Sequence, residues 1–93
     1  MSEPDFQSKV ALVTGGGSGI GAACVRLLVA RGAKVLVADR DPIAAERVAS
    51  EFPESAQPFA VDVSDPRRCE LMVQRAIESW GSLHIAVNNA GIG

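Results

Sequence analysis

Four short apolar runs, separated by three helical patterns, constrain the fold of this chain more than any other feature. The first, second and fourth runs place apolar residues at consecutive positions, as is typical of strands that are buried on both faces, and the third run is shorter. The runs span residues 9–14, 34–39, 57 to 61 or 62, and 83–88. This alternation favours an α/β fold in which helices cover a parallel sheet. Crossovers in such sheets are right-handed, which restricts the topology, and the economical solution has the strand order 3-2-1-4.

The helical patterns carry start and stop signals. Asp41-Pro42 and Asp65-Pro66 each predict an N-cap followed by a proline in the first helical turn. Gly32 and Gly81 predict the ends of the first and third helices. Few polar residues interrupt the first helix, so we expect it to be largely buried. Its apolar residues include Ile20, Cys24, Leu27, Leu28 and Val29.

Composition excludes several classes of protein. The 93 residues carry 9 basic and 11 acidic side chains, and this net charge of −2 argues against a nucleic-acid partner. No apolar run approaches the ~20 residues that span a bilayer. The N-terminal residues lack the pattern of a signal peptide, so we expect a cytoplasmic protein without a membrane partner. Two cysteines and His84 are too few for a metal site, and we expect no metal.

A glycine-rich loop, Gly15 to Gly21, follows the first strand and opens the first helix. Glycine lets a ligand approach the backbone closely, and a helix N-terminus favours an anion, so a pyrophosphate suits this place. The spacing Gly15-x-x-x-Gly19-x-Gly21 differs from the general G-x-G-x-x-G fingerprint of dinucleotide sites. A glycine-rich turn without a ligand is the alternative. Loop and strand order together predict half of a Rossmann-type, doubly wound dinucleotide-binding fold.

Asp39 ends the second strand, 20 residues after Gly19. A carboxylate at that place can accept hydrogen bonds from the hydroxyls of an adenosine ribose. The alternative is a solvated carboxylate at a strand end. A Rossmann-type fold puts this position beside the glycine loop, so each feature strengthens the interpretation of the other.

Three motifs in register resemble the short-chain dehydrogenases/reductases. Residues 14–21, Thr-Gly-Gly-Gly-Ser-Gly-Ile-Gly, match the family's T-G-x-x-x-G-[I/L]-G cofactor motif. Asp62-Val63 matches its acidic residue after the third strand, and residues 88–91 match its N-N-A-G motif after the fourth. The resemblance covers residues 6–93, with residues 1–8 as a flexible leader and 9–93 as the N-terminal half of the cofactor domain.

The resemblance implies a role for each of these positions. Asp62 is expected to bind the adenine amino group, and the Val63 backbone N–H an adenine ring nitrogen. The pyrophosphate and the nicotinamide ribose are expected to contact Gly15, Ser18, Gly19, Ile20 and Gly21. The adenosine ribose and phosphates are expected to contact Asn88, Asn89, Ala90 and Gly91. For the two asparagines, a purely structural role in bracing the strand ends is the alternative.

The carboxylate of Asp39 suits the 2′-hydroxyl of NAD and repels the 2′-phosphate of NADP, so we expect NAD to be the preferred cofactor. Arg40 counts against this preference, since an arginine beside the acidic position could pair with a 2′-phosphate.

The family's catalytic residues are missing from these 93 residues. Its Tyr-x-x-x-Lys pair, Ser and relay Asn fall beyond Gly93 in the family pattern, and the chain has no tyrosine. Lys9, Lys34 and His84 are expected at the opposite end of the sheet. The resemblance therefore implies the cofactor-binding half of an NAD(P)-dependent oxidoreductase that acts on a small alcohol or ketone. The alternatives are a non-catalytic dinucleotide-binding module or truncated isoform, and an interaction protein that has lost its ligand.

We expect the 93 residues alone to be inactive. They are also expected to be unstable as a monomer, because the fourth strand would form an exposed, apolar sheet edge. Complete relatives are commonly dimers or tetramers, and the resemblance implies the same for the complete protein.

Overall fold

The computed structural model describes residues 6–89. In chain order the elements are β1 (Val10–Thr14), α1 (Gly19–Ala30), β2 (Lys34–Asp39), α2 (Pro42–Ala49), β3 (Ala56–Ala60), α3 (Pro66–Trp80) and β4 (Ile85–Asn88). The four strands form a parallel sheet in the order β3-β2-β1-β4. The predicted fold class and strand order are therefore confirmed, and β3 lies one or two residues earlier than the apolar run indicates.

Residues of β1 and β2 point alternately to the two faces of the sheet, and both faces are covered, which is why residues 10–13 and 35–38 are all apolar. Ala11 and Val13 pack on the face that α1 and α2 cover, together with Val35 and Val37. On the opposite face, α3 covers a second cluster that includes Leu12, Leu36, Phe59 and Met72. Right-handed crossovers produce this division, with two helices on one face and one on the other.

The prediction that α1 is largely buried is wrong. Helix α1 contacts the sheet through a stripe of mostly small residues, Gly21, Ala22, Val25 and Leu28. Ile20 and Leu27 lie on its other side and are 69% and 55% exposed. An apolar helix of this kind can be buried on all sides only if it has neighbours on all sides, and the described residues leave the side of Ile20 and Leu27 open.

The predicted starts of α2 and α3 and the predicted end of α3 are confirmed by their caps, while α2 ends at Ala49, four residues before Pro53. Asp41 Oδ1 accepts hydrogen bonds from the N–H groups of Ile43 and Ala44, at 3.0 and 3.3 Å. Asp65 Oδ1 caps α3 in the same way, and Gly81 ends that helix with a left-handed φ of 88°. Pro58 is accommodated within β3 because β3 is an edge strand, where a missing N–H costs least.

Residues at the amino ends of the strands have structural roles. His84 is exposed, and its Nδ1 accepts a hydrogen bond of 3.0 Å from the N–H of Val10. Phe6 donates its N–H to the Arg31 carbonyl and packs on the α1/α2 cluster, so the described part of the leader is attached to the domain.

Among residues 6–89, no helix is long and apolar enough to cross a membrane.

Candidate functional site

The carboxyl ends of the four parallel strands meet at one edge of the sheet, and the predicted site residues lie along it. The glycine loop leaves β1, Asp39 ends β2, Asp62 follows β3, and Asn88 ends β4. Lys9, Lys34 and His84 lie at the opposite edge, as expected. Ala90 and Gly91 of the predicted site fall outside the described residues.

The glycine loop depends on the lack of side chains at particular positions. Gly15 and Gly19 have left-handed φ angles of 66° and 58°, which glycine adopts without strain. A Cβ at Gly21 would overlap the carbonyl oxygen of Gly15, so the first turn of α1 lies directly against the loop. Ser18 is the extended N-cap and its side chain caps no amide. The first N–H groups of α1 can therefore serve an anionic ligand.

Asp39 is held at the end of β2 by two backbone amides. Its Oδ2 accepts from the N–H of Gly17 at 2.9 Å, and its Oδ1 accepts from the N–H of Asp41 at 3.0 Å. The residue is half-buried. The carboxylate thus has a defined orientation beside the glycine loop, where the sequence places it.

A cleft of about 140 Å³ opens between the ends of β1, β2 and β3. It is lined by Gly15, Asp39, Arg40, Val61, Asp62 and Val63. Five of these six residues are predicted site residues, which the fold brings together from three loops. The sixth, Val61, is missed by the sequence analysis, although it is the last apolar residue of the third run and so marks where the strand gives way to the cleft.

Asp62 is fixed by the loop that follows it. Its Oδ1 accepts hydrogen bonds from the backbone N–H and the hydroxyl of Ser64, at 3.0 and 2.7 Å. These bonds hold the pKa of the Asp62 carboxyl below its ordinary value, and the positive charge of Arg40 acts in the same direction. Asp62 is therefore an ionised hydrogen-bond acceptor at neutral pH. Ser64 is a supporting residue that the sequence analysis does not identify.

Thr14 and the two asparagines join the glycine loop to β4. The Thr14 hydroxyl bonds the Asn88 side chain at 3.2 Å and accepts from the N–H of Asn89 at 3.0 Å. Asn89 Nδ2 in turn donates to the Gly15 carbonyl at 3.3 Å. The asparagines therefore brace the strand ends, and Asn89 sets the position of the first residue of the loop.

The residues at this edge of the sheet are suited to binding a ligand. It offers backbone N–H donors at α1, two carboxylates and one guanidinium around a cleft. Among residues 6–89, no group of three His, Cys, Asp or Glu side chains lies where it could hold a metal ion. Cys24 and Cys69 are free thiols, each partly buried in its own helix.

Comparison with known proteins gives a consistent result. The family model described as "short chain dehydrogenase" matches residues 9–93. A 3-alpha-(or 20-beta)-hydroxysteroid dehydrogenase of Mycobacterium tuberculosis is 44% identical over 84 residues, which cover 90% of this chain and 32% of that protein. A 3-beta-hydroxysteroid dehydrogenase of Comamonas testosteroni is 42% identical over 87 residues, covering 94% of this chain and 34% of the relative.

A solved structure gives the same picture in three dimensions. The crystal structure of a hydroxysteroid dehydrogenase from Escherichia coli superposes with a TM-score of 0.88 at 31% identity, over 92% of this chain and 38% of that one. The chain thus spans about a third of the length of the curated relatives named above.

Proposed function

The chain belongs to the short-chain dehydrogenase family, and on that premise we propose that it forms the cofactor-binding half of an oxidoreductase. The reaction is hydride transfer between a nicotinamide dinucleotide and an alcohol or ketone. Proteins of this family bind NAD or NADP. The observation that carries the proposal is the cleft at the carboxyl edge of the sheet, where Asp39 and Asp62 face the glycine loop.

The family resemblance implies which part of the cofactor each residue contacts, and the proposed contacts are as follows. Asp39 accepts hydrogen bonds from the adenosine ribose hydroxyls. Ionised Asp62 accepts from the adenine amino group, and the Val63 N–H donates to an adenine ring nitrogen. The N-terminus of α1 and its loop hold the pyrophosphate through Gly15, Ser18, Gly19, Ile20 and Gly21. The resemblance implies that the adenosine ribose and phosphates contact Asn88, Asn89, Ala90 and Gly91.

NAD is the proposed cofactor rather than NADP. A 2′-phosphate beside the Asp39 carboxylate would meet a like charge, and two such charges about 4 Å apart repel by several kcal/mol near a protein surface. Arg40 is the one cation that lines the described cleft. It lies beside two carboxylates, Asp39 and Asp62, whose negative charges oppose a phosphate at the ribose.

Titration of the full chain, by which we mean the complete protein rather than residues 1–93 alone, with NADH and NADPH tests the proposal. We expect NADH to bind at least roughly tenfold more tightly, which corresponds to a difference of about 1.4 kcal/mol. Asp39→Asn removes the charge and is expected to narrow this ratio. Asp65→Asn is the matched control, because it removes the same charge at the α3 cap, where asparagine caps equally well. Tighter binding of NADPH, or no binding of either nucleotide, would contradict the proposal.

Turnover is proposed for the whole protein. Residues 1–93 contain no tyrosine, so we assign none of them the role of proton donor in the hydride-transfer reaction. We propose a small alcohol or ketone as substrate, a cytoplasmic location and a homo-oligomeric assembly. The intact mass of the natural protein, measured together with its NAD-dependent oxidation of alcohols, decides between an active enzyme and a non-catalytic binding module.

A further inference from the structure

Asp39 links two separate segments of the chain before any ligand is bound. One carboxylate oxygen accepts the N–H of Gly17 in the glycine loop, and the other accepts the N–H of Asp41 at the entry to α2. A ribose ligand would need neither contact. Both bonds are charge-assisted, which makes each of them stronger than a bond between neutral groups.

The loop and α2 also touch directly. A Cβ placed on Gly17 would lie 2.7 Å from the Cβ of Ala44 and 2.8 Å from its carbonyl carbon. Ala44 and Ala45 are buried in the first turn of α2. The backbone of the loop therefore rests on this helical turn, while the Asp39 carboxylate holds the loop from the end of β2.

We propose that Asp39 is a positioning residue for the phosphate cradle as well as a ribose ligand. By joining the Gly17 and Asp41 amides, its carboxylate holds the glycine loop in its binding conformation in the free protein. An ionised carboxylate has about four acceptor sites, so two remain for neighbouring hydroxyl groups after both backbone bonds are made. The binding of ribose and phosphate rests on the proposed function, whereas the positioning of the loop by Asp39 does not.

The two roles of Asp39 make different predictions. If Asp39 only binds ribose, its removal leaves the loop unchanged in the free protein and weakens only ligands that carry the adenosine ribose. If Asp39 also positions the loop, its removal frees the Gly17 amide in the absence of any nucleotide. It then also weakens a ligand that contacts the loop and lacks adenosine.

Amide hydrogen exchange of the full chain, followed by NMR without nucleotide, separates these cases. Asp39→Ala is expected to accelerate exchange at Gly17 by roughly tenfold or more, the effect of losing one hydrogen bond to a charged acceptor. Asp41→Ala is the matched control. It removes a neighbouring carboxylate that caps Ile43 and Ala44, so those two amides are expected to exchange faster while Gly17 does not. Unchanged exchange at Gly17 in Asp39→Ala would overturn the proposal.

Should Asp39→Ala fail to fold, Asp39→Asn provides the same test. Asparagine replaces one acceptor oxygen with an NH₂ donor, so at least one of the Gly17 and Asp41 amides must lose its partner. Wild-type exchange at both amides in this variant would also overturn the proposal.

Binding of reduced nicotinamide mononucleotide, which has a phosphate but no adenosine, provides the functional measurement. We expect Asp39→Ala to weaken it roughly threefold or more, a loss of at least about 0.6 kcal/mol, and Asp41→Ala to leave it unchanged. Equal affinity of wild type and Asp39→Ala would overturn the positioning role. If the wild-type chain binds neither NADH nor the mononucleotide, the proposed function fails. The exchange rate at Gly17 still decides whether Asp39 holds the loop.

Discussion

Replacing Gly21 by alanine tests how closely α1 must approach the glycine loop. Gly21 is the third residue of α1. Gly→Ala in a helix interior ordinarily stabilises by about 1 kcal/mol. At this position the new Cβ would overlap the Gly15 carbonyl oxygen, and it would lie 2.7 Å from the carbonyl carbon and 2.8 Å from Asn89 Nδ2. The obstacle is backbone, so the loop and the helix have to separate.

The structure gives the expected sign and size of the change in stability. Overpacking of this kind costs about 1–3 kcal/mol. Displacing the Gly15 carbonyl also breaks its bond from Asn89 Nδ2, a further loss of about 1 kcal/mol. After subtraction of the helical gain, we expect Gly21→Ala to lower the free energy of unfolding by about 1–3 kcal/mol. It should also weaken NADH binding, because the first N–H groups of α1 move away from the loop.

Urea denaturation of the full chain measures the stability, and NADH titration measures the site. Ala23→Gly is the control, since Ala23 is exposed in the same helix and its replacement reports helix propensity alone. A loss of about 1 kcal/mol in the free energy of unfolding of this control would give the cost of a glycine in α1 that is due to helix propensity. A Gly21→Ala chain as stable as wild type, or more stable, would show that the close contact between helix and loop does not limit stability.

Three further predictions follow from other parts of the molecule. Asp41→Ala should cost about 1 kcal/mol of stability through the lost cap of α2, with Asp41→Asn close to wild type in thermal denaturation. Ser64→Ala removes one hydrogen bond to Asp62 and should raise the pKa of that carboxyl, which NMR titration measures. In the wild type the folded-state pKa of Asp62 lies below its ordinary value. The stabilisation by ionised Asp62 is therefore present above the unfolded-state pKa and is lost as the pH falls through the folded-state pKa. A mass-verified 1–93 polypeptide should show no NAD-dependent turnover. It should also self-associate in ultracentrifugation, because β4 exposes a sheet edge. Turnover would contradict the first expectation, and a monodisperse monomer that melts cooperatively would contradict the second.

Local sequence patterns determined the elements of this fold because each element depends on neighbouring residues. The consecutive apolar residues of β1 and β2 reflect burial on both faces of the sheet, and the structure buries those residues as predicted. The caps at Asp41 and Asp65 need only the amides two and three residues later. Right-handed crossovers restrict the topology without fixing it, and the observed strand order is that of the first half of a dinucleotide-binding fold.

Tertiary structure decided which contacts the site residues make. The pattern of α1 could not show which of its apolar sides meets the sheet, so Ile20 and Leu27 were wrongly expected to be buried. Val61 and Ser64 became recognisable only once the fold had placed them at the cleft and beside Asp62. The two amides that hold the Asp39 carboxylate come from different loops. Sequence could place Asp39 at the end of a strand, but only the packing of the glycine loop on α2 brings Gly17 within 2.9 Å of its side chain.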